Sequence, residues 1–159
     1  MTLKHDVQTW IKTSLEDPIA KILSKNSSLT RTQLETLIID VLAENISSKH
    51  LKYEEKAKMR QTKSEISRGS FNRTLRQAKT NTIASMYTIL LLGYFGILED
   101  ASLTPYIEIS NKLKEYREAY RALLQAPGRA KEQLNVVNML REELENSLGS
   151  MTKPWTSRP

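Results

Sequence analysis

From Thr80 to Leu98 the chain runs for 19 residues without a single charge, TNTIASMYTILLLGYFGIL. A stretch of this kind leaves two choices: it crosses a membrane, or it is buried at the centre of a domain. A bilayer asks for about 20 predominantly apolar residues, and the run opens on Thr80, Asn81 and Thr82, with Ser85 shortly after. The continuously apolar part is only about 12 residues, a length that suits a core helix better than a span. Gly93 and Gly96 weaken its end. We therefore expect a buried spine helix over 82–97 and no membrane span.

The remainder reads as helix throughout, so the fold class expected is all-α: a small multi-helix bundle. Only five Gly and five Pro interrupt 159 residues, and alternating strand patterns closed by turn dipeptides are missing. Val7, Trp10, Ile11 and Leu15 recur at helical spacing. Asp17 before Pro18 has the form of an N-cap and first-turn proline, restarting the helix through Ile19, Ile22 and Leu23. Thr30 with Gln33 three residues on is a capping-box pattern, and Leu34, Leu37, Ile38, Val41, Leu42 and Ile46 continue from it as an amphipathic helix. A short, mostly solvated helix is expected over about 51–62, and Ser67 is placed to cap the next one, which buries Phe71, Leu75 and Ala78. Thr104 and Pro105 open a further helix, Pro127-Gly128 breaks it, and a last helix over 129–148 sets Leu134, Val137, Leu144 and Leu148 on a heptad seam. These two form an antiparallel hairpin. The expected organisation is a helical domain over 1–100, a hairpin over 101–148 that either serves as a dimerisation element or folds back on the spine helix, and a loose tail over 149–159.

Charge is distributed very unevenly along this frame. Ten of the 24 Lys and Arg residues fall between Lys49 and Lys79, against three glutamates, so that window carries +7. Residues 1–48 sum to −1 and residues 80–159 to zero. A field so concentrated attracts polyanions. With Phe71, Leu75 and Ala78 turned inward, the 100° advance per residue puts Gly69, Arg73, Arg76 and Thr80 outward, with Ser70 and Gln77 on one flank and Asn72 on the other. Arg pairs bidentately with guanine, Asn or Gln with adenine, and Ser with either.

The segment Ile66-Ser67-Arg68-Gly69-Ser70-Phe71-Asn72-Arg73-Thr74-Leu75 resembles the turn and second helix of helix-turn-helix DNA-binding proteins. In that motif a small apolar residue in the turn precedes a Ser cap, and another apolar residue follows four positions after the cap. The likeness covers about residues 56–80. It departs in the first helix, where Gln61 and Glu65 stand at the positions usually held by a small residue and a turn-opening glycine. The resemblance implies a major-groove reader, a sequence-specific DNA binder such as a transcriptional regulator. Ser70, Asn72, Arg73, Arg76 and Gln77 would then read bases, while Lys56, Lys58, Arg60, Lys63, Arg68 and Lys79 hold phosphates. Double-stranded DNA is the expected partner, a homodimer the expected state, and the cytoplasm, or the nucleoid of a prokaryote, the expected location.

Two other readings keep the charge but change the partner. One is a membrane-associated or scaffolding protein that uses 80–98 as an anchor and the hairpin as a partner-binding coil. The other is RNA binding. The bland reading of 49–79 as a solvated charged face is opposed by the single sign of its charge. Catalysis is not expected: GxxxxGK[ST], HExxH and GxSxG are absent, His5 and His50 are isolated, and there is no cysteine. No metal, cofactor or small-molecule ligand is expected. Trp10 and the tyrosines at 87, 94, 106, 116 and 120 could stack bases, but their places on apolar stripes make them core residues first; Tyr116 and Tyr120, four residues apart, could equally line a dimer interface.

Overall fold

Two capping interactions organise the first half of the molecule. In the computed structural model, which describes residues 2–62, 64–97, 104–125 and 130–151, helix α1 (Leu3–Glu16) gives way to α2 (Pro18–Asn26). The hinge is Asp17, whose carboxylate accepts the Ala20 amide at 2.9 Å, with Pro18 in the first turn where its missing N–H costs nothing. Helix α3 (Arg31–Ser47) starts on the expected capping box: Thr30 Oγ1 accepts the Gln33 amide and Gln33 Oε1 accepts the Thr30 amide. It ends on Ser48, which takes the left-handed conformation at φ 55°. Helices α4 (Tyr53–Ala57) and α5 (Arg68–Tyr94) complete the N-terminal half, and α6 (Thr104–Gln125) and α7 (Ala130–Met151) follow. Among the described residues there are seven helices and no strand. The chain is all-α.

Two compact units make up the chain, residues 1–92 and 93–159, with the boundary inside α5. In the first, Val7, Ile11 and Leu15 of α1 meet Ile39 and Ala43 of α3, together with Leu51, Ala57, Met59, Phe71 and Leu75. Phe71, Leu75 and Ala78 are buried as the spacing of four and three requires. Of the expected α3 face, Leu34, Leu37 and Ile38 pack against this core, but the most buried positions lie to one side of it. Val41 and Ile46 are exposed, whereas Gln33, Glu35 and Thr36 are buried beside Ile39 and Ala43. Glu35 and Thr36 are drawn inward because a cation from the following segment reaches them, and Gln33 is occupied by its bonds to Thr30 and Asn81. Trp10 is also exposed rather than part of the core.

The larger correction concerns the uncharged run. It is not a buried spine. Past Ala78, α5 is held to its own unit by polar contacts: Asn81 Nδ2 donates to Gln33 Oε1 (3.3 Å), and the Ser28 and Ser85 hydroxyls lie 2.8 Å apart. Beyond them Ile83, Met86, Tyr87, Leu90, Leu91 and Tyr94 are all exposed. The run also does not start a new helix at 80 or 82. Its residues 80–94 are the second half of a continuous α5, which ends at Tyr94 rather than at the expected 97. No helix among the described residues is long and apolar enough to cross a membrane.

In the second unit α6 and α7 pack on each other, burying Tyr116, Val137, Leu144 and Leu148, with Leu134 of the expected seam left exposed. Lys112 donates to Glu143 across the pair. Tyr116 stacks on Tyr120 at 6.0 Å between ring centroids, so Tyr116 is spent inside the unit rather than on an outer surface. Helix α7 runs to Met151, past the expected end at 148. The Pro127-Gly128 turn and residues 152–159 of the expected tail lie outside the described residues.

Candidate nucleic-acid interface

The start of α5 is built around one hydroxyl. Ser67 Oγ accepts the Ser70 amide at 3.1 Å, which satisfies a first-turn N–H that the helix itself cannot. With Phe71, Leu75 and Ala78 fixed inward, Arg73, Arg76 and Gln77 are turned to solvent, and Ser70 is exposed beside them. No Asp or Glu occurs anywhere in Arg68–Tyr94. Gly69 lies on the same side, and a Cβ there would meet nothing nearer than Ser67 Oγ at 3.9 Å. Of the five expected base readers, Asn72 differs. It is half-buried, and its Oδ1 is shut away from solvent without a hydrogen bond among the described residues. Its acceptor therefore points into the unit, and it is not presented as the other four are.

The segment before α5 is less like the familiar motif. Helix α4 has five residues and ends at Ala57, so residues 58–67 form the connection, longer than the three- or four-residue turn of a helix-turn-helix. Tyr53 lies 6.3 Å from Phe71 between ring centroids, and Arg68 Nη1 donates to Glu54 at 3.1 Å, so α4 still abuts the start of α5.

The six expected phosphate ligands divide into three kinds. Lys58 is exposed, as are Arg68 and Lys79, although Arg68 also contacts Glu54 and Lys79 contacts Asp40 at 3.1 Å. Lys63 lies outside the described residues. Lys56 and Arg60 are corrections: they are 3% and 7% exposed and serve the interior. The Lys56 ammonium sits 2.7 Å from both Asp40 Oδ1 and Glu44 Oε1, donates to the Asp40 carbonyl at 3.1 Å, and lies 5.5 Å from the Tyr53 ring centroid. Arg60 Nη1 donates to Thr36 Oγ1 at 2.8 Å, while its Nε lies 3.3 Å from Glu35 as a charge contact without hydrogen-bond alignment. Glu35 in turn accepts the Gln61 amide at 2.6 Å. Gln8 donates to the carbonyls of Met59 and Arg60, and Gln61 Nε2 donates to the Gln8 carbonyl at 2.8 Å. Because a buried charge must be paired, these two cations staple the 51–61 segment onto α3. The expected mostly solvated helix over 51–62 is therefore replaced by a short α4 and a turn with Leu51, Ala57 and Met59 in the core.

These pairs also set the local electrostatics. Burial works to raise the Asp40 carboxyl, but the hydrogen bonds and charges of Lys56 and Lys79 outweigh it and hold the group below its ordinary value. The Glu44 carboxyl is held low chiefly by its bond to Lys56. Burial opposes the Lys56 charge, yet Asp40 and Glu44 together push its pKa up. The open hollow beside Lys56, about 370 Å³, is lined by Asp40, Glu44 and His50, an acidic mouth ill-suited to an anion. Cationic surface in the basic window is thus left, among the described residues, to Lys49, Lys52, Lys58, Arg68, Arg73, Arg76 and Lys79. No group of acidic, His or Cys side chains among the described residues could hold a metal ion.

Comparison of the chain with protein-family models, with curated proteins and with solved structures gives no match.

Proposed function

We propose that the protein binds double-stranded DNA, laying the outer side of the first half of α5 in the major groove. The observation that carries this reading is the side opposite Phe71 and Leu75: Ser70, Arg73, Arg76 and Gln77 are exposed on one helix that has no acid. Arginine and glutamine at such a position have the fork geometry that base edges require. Lys58, Arg68 and Lys79 contribute phosphate contacts, which dock the protein without reading sequence. Lys56 and Arg60 have no part in it beyond holding α4 and its turn in place. We assign the protein the role of a sequence-specific binder of the transcription-regulator kind, acting as a homodimer.

Fluorescence anisotropy of purified protein with random duplex DNA, measured across a salt series, tests the reading. Several phosphate contacts give a log–log slope of several units. Absence of binding at low salt, where the basic window attracts polyanions most strongly, refutes it.

A further inference from the structure

The second half of α5 carries an exposed apolar seam with a regular spacing. Ile83, Tyr87, Leu90 and Tyr94 follow one another at intervals of four, three and four, the alternation of d and a positions in a heptad, and Tyr87 and Tyr94 are 69% and 85% exposed. Met86 and Leu91, also exposed, flank the seam on either side. At about 150–250 Å² for a full side chain of this size, the six, at 54–85% exposure, leave roughly 600–950 Å² uncovered. The largest apolar patch of an ordinary monomer is about 300–600 Å², and each partner in a standard protein interface buries about 800 Å².

We infer that this seam pairs with the same seam of a second copy, the two α5 helices running antiparallel about a two-fold axis between Tyr87 and Leu90. Three observations select this occupant. The spacing is symmetric about its midpoint: in an antiparallel pair Ile83 faces the partner's Tyr94 and Tyr87 faces the partner's Leu90. Every d position then meets an a position, and each contact is made twice, once on either side of the axis. The run from Thr80 to Leu98 is uncharged, so self-pairing buries no ion and juxtaposes no like charges. A helix lying on a lipid surface instead needs cations on its polar face. The direction follows from the basic window that precedes the seam. A parallel pair sets the exposed Arg73 and Arg76 of both copies side by side. At 1.5 Å per residue, the antiparallel pair separates the two Arg73 side chains by about 45 Å, several times the Debye length of about 10 Å. The inference stands apart from the DNA reading and does not need it.

The test uses the full chain, which has no native cysteine. Sedimentation equilibrium should give twice the 18.2 kDa chain mass, and Leu90→Glu should halve it while the far-UV circular dichroism stays helical. Independently, Ile83→Cys and Tyr94→Cys proteins mixed in equal amounts and oxidised should give mixed disulfide well above the half of the product that random pairing yields. Several results would overturn the inference. One is a wild-type chain that is monomeric in solution, whether or not it sediments with phosphatidylglycerol vesicles. Another is a dimer untouched by Leu90→Glu. The third, a preference for each variant to cross-link with itself, would mean parallel pairing.

Discussion

Substituting Lys56 by Met removes one ammonium and leaves its buried aliphatic stem. Truncating one member of a buried ion pair costs about 3–5 kcal/mol when the other charge is left without compensation. Asp40 is not left so, since Lys79 remains 3.1 Å from its other oxygen. Glu44, open to solvent, is given no share of the cost. The expected loss is therefore about 2 kcal/mol at pH 7, or about 8–16 °C in Tm for a unit of under 100 residues. The pH dependence carries the sharper check. The Asp40 carboxyl is depressed in the folded chain below its ordinary 3.8. Its contribution is complete above the unfolded value and is lost as pH falls through the folded one. Urea titrations followed by circular dichroism should show the full gap between wild type and Lys56→Met at pH 7. The gap should begin to narrow as pH falls below about 4 and close only below the depressed folded value. A gap under about 0.5 kcal/mol at pH 7, or one that persists unchanged at pH 3, refutes the assignment of Lys56 as a structural cation. The same folded variant should bind random duplex DNA with an unaltered salt slope, because Lys56 is not a phosphate ligand.

Other substitutions separate the remaining roles. Arg73→Ala should reduce discrimination between DNA sequences by about 1–3 kcal/mol, whereas Lys58→Ala should weaken binding to all sequences and lower the salt slope by about one unit. Competition titrations at two salt concentrations distinguish them. Gly69→Ala meets no steric obstacle, so it should stabilise the helix by about 0.5–1 kcal/mol yet weaken DNA binding if a duplex lies against that turn; thermal melts and anisotropy on the same samples read both. Ser48→Gly should raise stability by about 0.5–1 kcal/mol, since the left-handed conformation at the end of α3 strains any residue with a Cβ, and a melt that falls instead counts against that strain.

What could be read from the sequence follows the range of the interactions concerned. Caps are local, so Asp17-Pro18, Thr30 with Gln33, and Ser67 were all legible. The inward stripe of Phe71, Leu75 and Ala78 was legible for the same reason, and it fixed which residues of early α5 face outward. The interior roles of Lys56 and Arg60 depend on acids 12 to 25 residues earlier in the chain, a range at which spacing alone says nothing. A trace existed nonetheless: the two cations are four apart and interleaved with Ala57 and Met59, an apolar company unusual for phosphate ligands. The uncharged run misled for a different reason. Absence of charge states that a surface can be buried, but not by what, and burial within the same unit was the wrong inference. Asn72 was misplaced because a helical wheel gives a direction and not the neighbour found there.

Because α5 is unbroken from Arg68 to Tyr94, it behaves as a spacer with a fixed pitch. The arginine at 76 and the leucine at 90 are separated by fourteen residues, about 21 Å of rise, and by a rotation that leaves both within about 40° of one side. Length and phase are therefore coupled: adding a single residue near Thr80 lengthens the rod by only about 1.5 Å but swings one end about 100° against the other. Loss or gain of three or four residues comes nearest to restoring alignment. Any change in the length of this helix other than a near-whole number of turns therefore rotates its two ends out of phase.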